Sequence, residues 1–159
     1  MWARGGVSAL FPTFGVYLQL CVMNKAIRRV PQQDWKHGDC GLACVAMVAR
    51  VPYECALEAF RSLDGKRSTT SFYTDHKQVE AMLKYLGHTT ERALFSSWHS
   101  ITQHAIVKVN VKNSGSWHWV VYDAGRSFAA VHDPKPGKRK IIRDFRGLKA
   151  RGYYIALLA

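Results

Sequence analysis

The sequence is short of cysteine, of acidic side chains and of the segments that usually join domains. It has 4 cysteines in 159 residues. They show neither paired CxxC spacing nor the density of a secreted disulfide-linked domain, so a reducing compartment is the simpler expectation. There is no internal repeat and no linker rich in proline or serine. A chain of this length without such breaks is expected to fold as one domain around one core.

Basic residues outnumber acidic ones. The 23 Lys and Arg against 11 Asp and Glu give a formal net charge of +12, and much of the excess lies in residues 135–151. Such a balance suggests an anionic partner or surface, although net charge affects solubility and non-specific contacts and does not determine the fold. Nucleic-acid binding is the less favoured alternative. Of the nearby aromatic residues Phe145, Tyr153 and Tyr154, two fall on the predicted last strand, where the core is their ordinary place.

Residues 1–22 form an apolar segment that matches neither of the usual membrane-directed segments. Pro12 and Gly15 interrupt it, and it is short for a spanning helix. A signal peptide has a basic start and an unbroken apolar run, and Arg4 is the one basic residue here. We therefore expect a poorly ordered, dispensable extension, with the domain in residues 23–159. The domain is expected in the cytoplasm; the alternative is a membrane anchor through residues 1–22, with the domain on the cytoplasmic side.

The apolar pattern predicts three helices and then four strands. The helices are expected at residues 40–50, 53–63 and 75–86, and the strands at residues 105–111, 116–122, 127–132 and 153–158. Helices followed by a run of neighbouring strands argue for an α+β fold with an antiparallel sheet. Asp39 is predicted to cap the first helix through its side chain, and Thr74 is predicted to cap the third.

Four side chains together suggest the site of a cysteine nucleophile. Cys40 begins the most apolar helix, and the positive end of a helix favours a thiolate. His118 lies within a later strand, Asp133 follows the next strand, and Gln33 lies in the loop before the cysteine. Each has an ordinary alternative: a small core residue, a core histidine, an Asp-Pro turn and a solvated glutamine. Their order, however, is what a nucleophile, its base, an orienting acid and an oxyanion donor require.

Hairpin geometry predicts how His118 and Asp133 relate to each other. A tight turn at residues 124–125 would place His118 opposite Val131. Asp133 would then lie on the same face, diagonal to His118, at a distance that a carboxylate and an imidazole can bridge. His132 would point to the opposite face, because side chains alternate along a strand.

The segments DCGLACVAMV, HWVVYD and VHDPKPG, in this order, resemble the double-glycine leader peptidases, the bacteriocin-processing type of papain-like cysteine peptidase. The resemblance runs from about residue 30 to the C-terminus. It implies a papain-like fold, no cofactor and a catalytic triad of Cys40, His118 and Asp133, with Gln33 as the oxyanion donor. The glutamine of the family commonly lies one residue nearer to the cysteine, where this chain has Asp34.

The resemblance implies a peptidase that acts on a peptide or protein substrate. Well-known members are fused to membrane transporters with nucleotide-binding domains, whereas this sequence has no phosphate-binding Gly-Lys motif, so a stand-alone domain is expected. Two alternatives stay open: another acyl transfer on the same triad, such as deamidation or transamidation, and a catalytically silent module that binds peptides. No metal is expected, because Cys40, Cys44 and His37 are near in sequence but no second ligand cluster joins them.

Overall fold

A computed structural model describes residues 27–138 and 141–158 of the chain. The expectations about residues 1–22, both the dispensable extension and the membrane anchor, lie outside the described residues. Within the described part, no single helix is long and apolar enough to cross a membrane. The helices Cys40–Ala49 and Tyr53–Arg61 reach the required length and composition only as a pair, across a bend of 117°.

In the described part of the chain, three α-helices precede the strands, as the sequence predicts: α1 (Cys40–Ala49), α2 (Tyr53–Arg61) and α3 (His76–Tyr85). Every residue of α1 is buried, which is the expected environment for a helix that is apolar on all sides. Helices α2 and α3 bury one face each. Pro52 directly precedes α2 with a φ of -56°, so its fixed backbone is already suited to the start of a helix.

The cap of α3 differs from the prediction. Asp75, not Thr74, is the N-cap residue, because its carboxylate accepts the backbone N–H of Gln78 at 2.8 Å. The side chain of Gln78 in turn accepts the N–H of Asp75 at 3.0 Å, which completes a capping box. Thr74 is buried instead, and its carbonyl accepts the indole N–H of Trp119 at 3.1 Å. Thr74 therefore connects the start of α3 to the sheet.

Within residues 27–138 and 141–158, five antiparallel strands form one sheet in the order β1-β5-β2-β3-β4. They are β1 (Thr90–Leu94), β2 (Ala105–Val109), β3 (His118–Asp123), β4 (Ala130–His132) and β5 (Ala150–Leu157). Three helices followed by an antiparallel sheet confirm the predicted α+β class. The sequence analysis missed β1, because its residues TERAL include no run of branched or aromatic side chains. This edge strand is held by its pairing with β5 rather than by its composition.

The sheet is covered on both faces. On one face, strand residues such as Ile106, Trp119 and Ile155 pack against the three helices. On the other face, Val107 and Val120 belong to a second apolar cluster, which the connection between β1 and β2 and the connection between β4 and β5 cover. The helix-facing cluster includes Cys40, so the start of α1 lies against the sheet.

The pairing of β3 with β4 is shifted from the predicted register. Val131 pairs with Tyr122 rather than with His118, and residues 124–129 connect the strands in place of a two-residue turn. The shift covers an even number of residues, and an even shift preserves which side chains share a face. His118 and Asp133 therefore still lie on the same face, although the predicted register was wrong.

Asp123 explains the longer connection. It is buried at the end of β3. Its carboxylate accepts hydrogen bonds from Nε–H of Arg126 at 2.7 Å and from the backbone N–H of Gly125 at 3.1 Å. His132, on the face opposite to that of Asp133, brings its Nε2 to 3.1 Å from the same carboxylate. Burial raises the pKa of Asp123, but the hydrogen bonds from His132 and Arg126 outweigh it and lower the pKa below its usual value. A buried, ionised aspartate requires such partners, and the connection of residues 124–129 supplies two of them, Gly125 and Arg126.

Candidate active site

Cys40 is the first residue of α1 and lines a cleft of about 600 Å³. The first amides of a helix have no acceptor within the helix, so N–H groups are available beside the sulfur. Cys44, one turn later, is 0% exposed, compared with 7% for Cys40. Burial, and after it the charge of Cys40, raise the pKa of Cys44 well above its usual value. Cys40 is therefore the thiol of this pair that reagents and substrates can reach.

His118, at the start of β3, contacts both Cys40 and Asp133. Its Nε2 lies 2.7 Å from Oδ1 of Asp133, and the ring lines the same cleft as Cys40, close enough for the cysteine to raise the pKa of the imidazole. Since Nε2 is engaged by the carboxylate, Nδ1 is the ring nitrogen left for the sulfur. Burial lowers the pKa of His118, but the hydrogen bonds to Asp133 and Cys40 outweigh burial and raise the pKa to about 9. The imidazole is therefore protonated at neutral pH.

Asp133 is held firmly behind the histidine. Its side chain is buried, and its Oδ1 also accepts the N–H of Lys135 at 2.8 Å. Nε of Arg29 donates to its backbone carbonyl at 2.7 Å. Burial raises the pKa of Asp133, but the hydrogen bond and the charge of His118 outweigh it and lower the pKa below its usual value. An ionised carboxylate in this position orients the imidazole and stabilises its positive charge.

Asp39 has a different role from the predicted one. It precedes α1, but its side chain caps no amide of that helix. The carboxylate is fully buried and accepts the backbone N–H groups of Gln33 and Asp34, each at 2.8 Å. It also accepts the hydroxyl of Tyr53 at 2.8 Å. The backbone of Asp39, with φ -80° and ψ 16°, is not in the extended conformation of a side-chain cap. Asp39 therefore ties the preceding loop to the start of α1.

The two glutamines of this loop have different environments. Gln32 lines the cleft, and its Nε2 donates to Oδ1 of Asp39 at 2.9 Å. Gln33 is exposed and does not line the cleft, and its backbone N–H rather than its side chain contacts Asp39. The structure thus brings Cys40, His118 and Asp133 together, as predicted, but joins them with Gln32 in place of Gln33.

The loop that follows explains this difference. A 3-10 turn at Trp35–His37 takes up the chain between the glutamines and the cysteine. A glutamine further from Cys40 in sequence therefore still faces the cleft. Two adjacent glutamines in an irregular loop give no pattern from which the inward one can be chosen, and the sequence prediction favoured Gln33 over Gln32 for its closeness to Cys40.

A second cavity, of about 310 Å³, adjoins Cys40 without including His118. Tyr73, Trp117 and Trp119 give it aromatic walls, with the two tryptophan ring centroids 6.2 Å apart. Sequence reasoning also missed Tyr73, which lies in a loop without a regular pattern. The cleft and this cavity share Cys40, Tyr73 and Trp117 among their lining residues, so the two spaces adjoin each other at the cysteine.

The order of elements and the position of the cysteine are those of papain-like cysteine peptidases. A family model of the peptidase C39 family matches residues 28–146. The chain belongs to the peptidase C39 family and is a cysteine peptidase. The family and fold that the sequence motifs suggested are therefore confirmed.

One solved structure gives the comparison in three dimensions. The chain is similar to a double-glycine motif protease from an AMS/PCAT transporter, crystallised in complex with the leader peptide. The TM-score is 0.55, with 19% sequence identity, and the match covers 86% of this chain and 94% of that chain. At this identity the likeness concerns the fold. No curated protein matches the chain.

Proposed function

We propose that Cys40, His118 and Asp133 form a catalytic triad that hydrolyses peptide bonds. The observation that carries the proposal is the unbroken chain of contacts from the sulfur through the imidazole to the carboxylate, with 2.7 Å between Nε2 and Oδ1. A pKa of about 9 for His118 supports an imidazolium beside the cysteine at neutral pH. An adjacent imidazolium favours the thiolate form of a cysteine, which is its nucleophilic form.

In the first step, the thiolate of Cys40 attacks the carbonyl carbon of the scissile bond, and the carbonyl electron pair moves to the oxygen. A primary amide has two N–H donors, and Gln32 gives one of them to Asp39. Its second N–H and the backbone N–H of Cys40 are the donors available to the new oxyanion. We assign the oxyanion role to Gln32, in place of the Gln33 predicted from the sequence.

In the second step, the intermediate collapses and the carbon–nitrogen bond breaks. The imidazolium of His118 gives its Nδ1 proton to the leaving amine, and the acyl group stays on Cys40 as a thioester. Neutral His118 then takes a proton from water while the water oxygen attacks the thioester. Release of the carboxylic acid restores the thiolate and the imidazolium, and Asp133 holds the ring throughout.

For the substrate, we propose a peptide that is cleaved after two glycines, by similarity to the double-glycine motif protease described above. The aromatic cavity beside Cys40 supports this choice. Glycines present no side chain to the rings of Tyr73 and Trp117, and their backbone can approach closely. The glycines would occupy this cavity, so that the carbonyl of the second one meets the sulfur.

The test of the proposed function uses the full chain and a peptide with one Gly-Gly pair, in water enriched in ¹⁸O. Hydrolysis should yield two fragments, with one heavy oxygen in the new carboxyl group after the second glycine, as mass spectrometry would detect. Fragments joined to an added amine, or glutamine side chains deamidated without chain cleavage, would instead establish another acyl transfer. Binding of the peptide without any conversion would establish a silent module.

The pH dependence of activity provides a second test. The imidazolium is required to protonate the leaving amine, so kcat/KM should fall as the pH rises through about 9, where His118 loses its proton. Asp133→Asn removes the charge that raises this pKa, so the alkaline limb should move toward the usual value of 6.5. At about pH 8, kcat/KM should then be lower by roughly tenfold or more, since each pKa unit changes the ratio of the two protonation states tenfold.

The matched control is Asp144→Asn, which removes an exposed carboxylate paired with Arg146. Its pH profile should coincide with that of the unaltered chain. An alkaline limb that stays in place in Asp133→Asn would show that this carboxylate does not govern the protonation of His118.

A further inference from the structure

Three lysines line the cleft that Cys40 shares with His118. Lys112 lies in the connection between β2 and β3, and Lys135 and Lys138 follow β4. All three are exposed. Among residues 27–138 and 141–158, no carboxylate lies within ion-pair distance of any of them. The cleft thus carries positive charge that the described part of the chain does not neutralise.

The charge is unevenly distributed around Cys40. Of the described residues that line the lysine cleft, one is a carboxylate, Asp133, and it is buried and engaged by His118. The adjoining aromatic cavity shares Cys40, Tyr73 and Trp117 with this cleft, but it is lined by Asp75 and by none of the described lysines. A substrate that crosses the cysteine therefore meets positive charge on the His118 side.

The chemistry of the proposed triad decides which part of the substrate meets these lysines. The imidazolium must reach the leaving nitrogen, so the segment that begins with this nitrogen lies on the His118 side of Cys40. His118 lines the lysine cleft and not the aromatic cavity. Residues after the scissile bond therefore enter the lysine cleft, and residues before it occupy the aromatic cavity.

We propose that the cleft lined by Lys112, Lys135 and Lys138 is a subsite for acidic side chains that follow the scissile bond. The inference rests on the proposed function, because the triad sets the direction of the substrate. Ammonium groups act as point charges on flexible stems, so the subsite selects negative charge rather than one geometry. The lysines repel basic side chains at the same positions of the substrate, and this repulsion adds to the discrimination between acidic and basic substrates.

The test compares three peptides that share the Gly-Gly side and differ only after the cleaved bond, where they carry Glu, Gln or Lys residues. The expected order of kcat/KM is Glu, then Gln, then Lys. The Glu and Lys peptides should differ by about tenfold or more at low salt, mostly through KM, if each lysine contributes as exposed ion pairs usually do. The difference should shrink at about 0.5 M salt because exposed charges are screened. Glu residues placed before Gly-Gly should give no such gain.

Charge reversal connects the preference to the cleft. The double variant Lys112→Glu, Lys135→Glu should favour the Lys peptide over the Glu peptide. The matched control is Lys84→Glu, an exposed lysine of the last turn of α3 that does not line the cleft. It should keep the original order. If the double variant also keeps the original order, the acidic subsite is overturned.

Failure of this subsite and failure of the proposed function give different results. Equal hydrolysis of the three peptides by the unaltered chain overturns the subsite and leaves the peptidase proposal standing. If no peptide is hydrolysed, the proposed function fails, and fluorescence anisotropy with the labelled peptides decides the subsite. The unaltered chain should then bind the Glu peptide more tightly than the Gln peptide, and the Lys112→Glu, Lys135→Glu variant should not. Equal affinities for the two peptides overturn the subsite.

Discussion

Replacing Cys40 by alanine is expected to lower kcat by about a millionfold, the typical cost of removing the nucleophile of a triad. The described cysteine nearest in sequence, Cys44, cannot substitute, because it is fully buried and burial raises its pKa well above the usual value. The measurement is the release of peptide fragments, together with brief alkylation at about pH 6, where an ordinary thiol reacts slowly. In the unaltered chain the label should appear on Cys40 before any other cysteine.

The matched control is Cys55→Ala, which removes a half-buried thiol of α2 that does not line the cleft. Its cleavage rate and the labelling of Cys40 should be close to those of the unaltered chain. Cys40→Ala should melt cooperatively, because alanine suits a buried helix start. Fragment release at the original rate in Cys40→Ala, or equal labelling of Cys44, would contradict the assignment of the nucleophile.

Replacing Gln32 by alanine should lower kcat by roughly a hundredfold to a thousandfold, the usual cost of one oxyanion donor. The side chain of Gln32 lines the cleft, and Asp39 fixes its orientation through the bond to Nε2. Gln33→Ala should leave kcat nearly unchanged. The exposed side chain of Gln33 does not line the cleft, and the backbone N–H that Asp39 accepts is retained in alanine.

The rate of alkylation of Cys40 separates an oxyanion role from a structural one. Alkylation develops no oxyanion, so Gln32→Ala should react at the rate of the unaltered chain while its kcat is lower. A parallel loss of alkylation would mean that the loop itself had been displaced. A large loss of kcat in Gln33→Ala, with Gln32→Ala unaffected, would return the role to the glutamine predicted from the sequence.

A catalytically silent peptide-binding module would not need an imidazole protonated at neutral pH. Here the hydrogen bonds to Asp133 and Cys40 outweigh the effect of burial and raise the pKa of His118 to about 9. Groups with perturbed pKa values in a cleft are typical of functional sites, although structural ion pairs also produce them. The pH profile of the Asp133→Asn variant therefore tests directly whether His118 and Asp133 carry the proposed reaction.

The amino-acid sequence by itself determined those helices and strands whose own residues are enough to fix their secondary structure. Helix α1 follows from an apolar run that is longer than a strand usually needs, and β2 and β3 follow from branched and aromatic side chains. The shared face of His118 and Asp133 also followed from the sequence. It depends on the two-residue period of strands, which is unchanged when the register moves by an even number of residues.

Only the tertiary structure decided the features that depend on distant partners. The edge strand β1 forms because β5 pairs with it. The register of β3 with β4 depends on the partners of buried Asp123, which lengthen the connection. The side chain of Asp39 does not cap α1, because its carboxylate accepts the loop amides and the hydroxyl of Tyr53 instead. The bond from Nε2 of Gln32 to the same carboxylate holds Gln32 at the cleft. The periodic pattern of a sequence depends only on residues that are neighbours along one segment. Which donors a buried carboxylate binds is decided only when distant segments have packed together.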